Sequence, residues 1–158
     1  MEKENVYGSL GILPKEEMLE VRQDFQKLRI GIPKETSFQE KRISLTPDSV
    51  ALLVHNGHYI VIESEAGLQA NFTDDEYLKS GANVVFSKEE VYKTDIIVKI
   101  EPPTKSELKL LKKGQQLISA IQLQTRDKNY FQNLLKKDIT SIAIEHIKDK
   151  EGKLALLR

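Results

Sequence analysis

The chain has 158 residues, enough for one domain with its own core. Hydrophobic residues make up 39% and charged residues 30%, with zero formal net charge, which excludes disorder and gives no basic excess for a nucleic-acid partner. Cysteine is absent, the histidines are only His55, His58 and His146, and no apolar run approaches the length of a membrane span, so thiol chemistry, a zinc motif and a transmembrane helix are excluded.

The start, MEKENVYGSLG, has no apolar stretch of the signal-peptide kind, so a cytoplasmic location is expected. In PKEEMLEVRQDFQKL, Met18, Val21, Phe25 and Leu28 recur at helical spacing behind a proline, which predicts an amphipathic helix. RIGIPKE follows as a short strand ended by Pro33. Thr46 as N-cap, Pro47 at the first helical position and Asp48 in the first turn predict a second helix, with Val50, Leu53 and Val54 on its buried face and Gly57 just past its end.

HYIVIES reads as a strand. TDDE at 73–76 is a capping box whose helix stops at Gly81. ANVVFS is a third strand, and SKEE at 87–90 predicts another capping box and a short helix. DIIVKI is a fourth strand, halted by Pro102-Pro103. A helix around KSELKLLKK precedes the strand QQLISAIQL. KNYFQNLLKK places Tyr130, Phe131, Leu134 and Leu135 on one helical face, ITSIAIEHI is the sixth strand, and KDKEGKLALLR reads as a turn followed by an extended run.

Strand–helix alternation with nearly continuous apolar strands predicts an α/β domain, a doubly wound and mainly parallel Rossmann-like or flavodoxin-like sheet. Ligands of such sheets sit outside the carboxyl ends of the strands. No three of the eight glycines have the spacing of a dinucleotide or P-loop fingerprint, so no cofactor-binding or metal-binding residues are assigned in this chain.

Lys99 interrupts an apolar strand, and two readings stand: a lysine that snorkels to water from a strand end, or an ammonium facing the ligand crevice. Arg42 is either a solvated loop residue or a guanidinium fork for a carboxylate. Gln122, at the end of the fifth strand, can hydrogen-bond a ligand but cannot exchange a proton near neutral pH. His146 reads as structural, His55 and His58 as contacts to a helix end, and the lysines of 109–113 and 136–137 as solvated helix ends.

IGIPKE, EKRISLTPDSVALLVHNGH, VIESEAG, FTDDEYLKSGA, DIIVKIEPP, LKKGQQLIS and AIEHIKDKEGKLALL occur in one order at one set of spacings. From about residue 29 to 158 the sequence resembles the N-terminal domain of the alanine dehydrogenase and NAD(P) transhydrogenase alpha-subunit family, with residues 1–28 as an added extension. The resemblance implies the substrate-side domain of an oxidoreductase that interconverts L-alanine and pyruvate with ammonia and NAD. The NAD would be bound by a second domain absent from this chain, and the isolated chain is expected to be inactive. It also implies a homo-oligomer with a small-molecule partner and neither a membrane nor a nucleic-acid partner. Arg42 matches the family's carboxylate-holding arginine. Lys99 matches its lysine at the substrate's carboxylate and carbonyl, and so carries the catalytic assignment. Gln122 stands where alanine dehydrogenases carry a proton-transferring histidine, and is assigned to substrate binding. That departure keeps two alternatives in view, a transhydrogenase subunit and a non-catalytic amino- or keto-acid-binding module. The more distant saccharopine-forming enzymes share the arginine and lysine, so substrates beyond alanine also stay open.

Overall fold

The computed structural model describes residues 26–154. Six strands alternate with five α-helices: β1 Arg29–Ile32, α1 Pro47–His55, β2 Tyr59–Glu63, α2 Asp74–Lys79, β3 Asn83–Val85, α3 Lys88–Val91, β4 Ile96–Val98, α4 Lys105–Leu110, β5 Gln116–Ser119, α5 Lys128–Lys136 and β6 Thr140–Ala143. The strands form one sheet in the order β3-β2-β1-β4-β5-β6, every pairing parallel. The chain winds outward from β1 in one direction and from β4 in the other. A topological switch point therefore lies between β1 and β4, in register at Ile30 and Ile96.

Alternation along the strands divides the core in two. Ile30, Ile32, Ile60, Ile62 and Ile96 pack with Val50 of α1 and Tyr77 of α2. Val61, Ile97 and Leu117 face the other way, against Val91, Leu108, Tyr130 and Leu134 of α3, α4 and α5. Gly31 belongs to this second face. A Cβ there would lie 2.5 Å from both the Val91 carbonyl oxygen and Thr94 Oγ1, so the glycine lets α3 pass close over β1.

The expected helix starts mostly hold. Thr46 Oγ1 accepts from the Ser49 N–H, and the Thr73–Glu76 capping box is complete in both directions. Three details differ. Ser87 does not cap α3, because its hydroxyl donates to Glu89 instead, and α3 is a single turn. Leu135 is 74% exposed, since the stripe of α5 turns inward at Tyr130 and Leu134. The fifth and sixth strands are shorter than their apolar runs. After Ala120, the N–H groups of Ile121 and Gln122 both donate to the Glu145 carboxylate, and the ladder ends there. The helix expected upstream of β1 falls on residues outside those described, apart from its last residues, 26–28, which are not helical.

Candidate functional site

A cleft of about 500 Å³ opens outside the carboxyl ends of β4 and β5, beside the switch point, with Glu40, Arg42, Lys99, Gln122 and Glu145 on its wall. Residues 33–46, between β1 and α1, form one side. Ser44 Oγ donates to the Val98 carbonyl at 3.2 Å, and the Leu45 carbonyl accepts from the Tyr77 hydroxyl at 2.8 Å. These bonds fix the loop to β4 and α2.

Arg42 is clamped within this loop. Its Nε and Nη2 donate to the two oxygens of Glu40 at 2.8 and 2.6 Å, and its own backbone N–H donates to the same carboxylate at 2.9 Å. The pair holds the Glu40 carboxyl below the usual carboxylate range, and Glu40 in turn raises the Arg42 guanidinium. A side-on grip of this kind engages Nε and one face of Nη2, and it leaves the Nη1 edge for a second planar anion. Glu40 is buried whereas the Arg42 side chain is 63% exposed, so the clamp lies inside and the guanidinium faces the cleft.

Lys99 directly follows β4. Strand alternation puts it on the Ile97 face, toward α4. It does not snorkel, its side chain being only 1% exposed. Nζ lies 3.1 Å from both oxygens of Glu107 and 3.6 Å from Glu35 Oε2. Glu107 is placed by its own helix start: Thr104 and Glu107 form a capping box at α4, with Glu107 Oε2 accepting from the Thr104 N–H at 2.8 Å. Lys88 of α3 reaches Glu107 at 3.2 Å and Glu63 of β2 at 3.8 Å. A ladder Glu63–Lys88–Glu107–Lys99–Glu35 thus crosses the carboxyl edge of the sheet.

The two carboxylates on Lys99 differ. Burial pushes both upward. For Glu107 the Lys99 charge and the Thr104 N–H outweigh burial and hold the carboxyl low. For Glu35 burial wins over the Lys99 charge, and the carboxyl is raised. Glu35 Oε1 accepts from the Ile100 N–H at 2.6 Å, while Oε2 is buried with no hydrogen-bond partner.

Gln122 adopts a left-handed backbone with φ of 51°. Glu145 sets that turn by accepting from the N–H groups of Ile121 and Gln122 at 2.8 and 2.7 Å. The Gln122 carboxamide oxygen lies 3.4 Å from Arg126 Nη2 and from Thr125 Oγ1. No histidine lines the cleft. His58 Nδ1 accepts from the Leu28 N–H, His55 ends α1, and His146 is exposed in a turn after β6.

The structure therefore brings Arg42, Lys99 and Gln122 onto one cleft. Sequence reasoning missed the residues that hold them: Glu40, Glu107, Glu35 and Glu145. Two of these carried a signal. T-K-S-E at 104–107 is a capping-box pattern, and Glu40 stands two residues before Arg42. Glu35 and Glu145 carried none, because their partners are distant in sequence. Chemically, the cleft offers a free guanidinium edge, a buried ammonium and a carboxamide, but no imidazole.

A sequence model described as "Alanine dehydrogenase/PNT, N-terminal domain" matches residues 31–158. The alanine dehydrogenase of Methanococcus maripaludis is 39% identical over 129 residues, which are 81% of this chain and 34% of that protein. An alanine dehydrogenase of Staphylococcus epidermidis is 35% identical over 130 residues, 82% of this chain and 35% of that protein. Among solved structures, an L-alanine dehydrogenase superposes with a TM-score of 0.76 at 35% identity, over 80% of this chain and 35% of that one. The transhydrogenase from Sinorhizobium meliloti gives a TM-score of 0.69 at 26% identity, over 74% of this chain and 35% of that one. The chain thus spans about a third of the length of the relatives it matches.

Proposed function

The chain belongs to the family of alanine dehydrogenase and transhydrogenase N-terminal domains, and from that premise we propose that it is the substrate-side domain of an NAD-dependent amino-acid dehydrogenase acting on pyruvate and alanine or a related pair. The observation that carries this reading is the meeting of Arg42 and Lys99 on one cleft at the switch point of the sheet. The Nη1 edge of Arg42 would take the carboxylate of an α-keto acid, and the Lys99 ammonium would face its carbonyl side.

A nicotinamide cofactor supplies hydride chemistry to such a reaction when bound. The residues of this chain do not fit a dinucleotide. β1 runs into Pro33-Lys34-Glu35 rather than a glycine cradle for a pyrophosphate. The cofactor is assigned to another part of the whole protein.

Calorimetric titration of pyruvate and L-alanine into this chain and into Arg42→Ala tests the reading. Loss of a charge-assisted bidentate contact is expected to weaken pyruvate binding about tenfold or more. Equal affinity in the two proteins would remove Arg42 from the binding site. A second reading is favoured by one observation, Gln122 in the cleft wall with no histidine beside it. It is a domain that binds the acid without turning it over. Steady-state assay of the whole protein with pyruvate, ammonia and NADH separates the two.

A further inference from the structure

We propose that Glu35 is the positioning residue through which Lys99 exchanges a proton with an α-keto acid in the cleft, a role for which the cleft holds no imidazole. The proposal rests on the keto-acid reading given above. Three observations carry it, each about how the donors and acceptors around Lys99 are spent.

Lys99 has three N–H donors. Both oxygens of Glu107 lie 3.1 Å from Nζ, Glu35 Oε2 lies 3.6 Å away, and Lys99 lines the cleft. Glu107 itself is fully engaged, accepting also from Lys88 and from the Thr104 N–H and hydroxyl. Glu35 is half engaged. Ile100 N–H fixes Oε1, while Oε2 is buried, without a hydrogen bond, 3.6 Å from Lys99 Nζ. A buried carboxyl oxygen with no hydrogen bond is a place where a proton can sit. The ladder also carries one more carboxylate than ammonium group, so a proton on Glu35 neutralises it.

The groups facing Glu35 are Lys99 and the N–H groups of Ile100 and Glu101 after β4, Glu107 from α4, the buried Tyr92 hydroxyl after α3, and Arg42 from the loop before α1. Burial outweighs the Lys99 charge, which favours the protonated carboxyl. In the addition of ammonia to the carbonyl carbon, the nitrogen keeps its three hydrogens and ends with the positive charge. The nitrogen lone pair forms the new C–N bond, and the C=O π pair moves to oxygen. Lys99 gives that oxygen a proton and becomes a neutral amine. Glu35 then returns a proton to Nζ and becomes a carboxylate.

The test uses this chain, with pyruvate as the probe. Carbon-13 titration of labelled glutamate carboxyls should place Glu35 above the ordinary glutamate range, about 4.3. Pyruvate brings a negative charge near Glu35, so at a pH just above the measured Glu35 titration calorimetry in buffers of different ionisation enthalpy should show proton uptake on binding. Glu35→Gln should abolish that uptake while affinity stays within a few-fold, and Glu35→Asp should restore part of it. A structural role alone would leave the uptake unchanged. Uptake that persists in Glu35→Gln, or a Glu35 titrating in the ordinary range, overturns the proposal. Binding without uptake in the wild type overturns this step alone, whereas no pyruvate binding overturns the keto-acid reading beneath it.

Discussion

Lys99 costs too much desolvation to be buried alone, and Glu107 is what makes it tolerable. Replacing Glu107 by Gln leaves Lys99 and Lys88 without their shared carboxylate. A loss of about 3–5 kcal/mol is expected, read from the urea midpoint at neutral pH. The same residue sets an acid limb. Its carboxyl is held low in the folded state, so its stabilisation is present above the ordinary glutamate value and is lost as pH falls through the folded one. Glu35 has the opposite sign. Its carboxyl is raised, so its contribution is complete below the ordinary value and is lost as pH rises through the folded one. Stability measured against pH should therefore fall less on acidification in Glu107→Gln than in the wild type, and an unchanged acid limb would contradict this assignment. Arg42 shows how far residue-level reading reached. Its position on the cleft followed from the strand pattern, whereas the Glu40 clamp that leaves one edge free depends on side-chain geometry.

Helix starts position the site as much as strands do. The α4 capping box delivers Glu107 to Lys99, so Thr104 acts on the site through one turn of helix. Thr104→Ala should cost about 1 kcal/mol in thermal or urea unfolding. It should also weaken pyruvate binding if the Lys99 ammonium needs that carboxylate in place. At β1, Gly31→Ala would press a methyl group onto the α3 backbone, which is not a flexible side chain. About 1–3 kcal/mol of destabilisation is expected, and a neutral result would show that α3 can shift away. Element type was legible because apolar period and capping chemistry are local. Element ends were less so. β5 stops where a carboxylate 24 residues further on captures the Ile121 N–H, and no local signal marks that position. Ser87 is the converse case, a capping pattern whose hydroxyl found Glu89 instead.

At the scale of the molecule, alternation of strands and helices dictated a parallel doubly wound sheet, and the order β3-β2-β1-β4-β5-β6 is one such winding. The motif series in its order identified the family that the comparisons show. The missing glycine loop gave the sequence no fingerprint of dinucleotide binding. The sequence by itself thus determined the architecture, the family and the two cations worth examining, because periodicity, capping and ordered motifs are written along the chain. Only the tertiary structure decided what those cations touch. Lys99 is drawn inward because folding brings Glu35 and Glu107 from separate elements to its ammonium, and a buried charge must be paired where it stands. Arg42 faces outward because Glu40, two residues earlier, holds only one edge of its guanidinium. "EKRISLTP" named the arginine; the fold chose which of its edges is free.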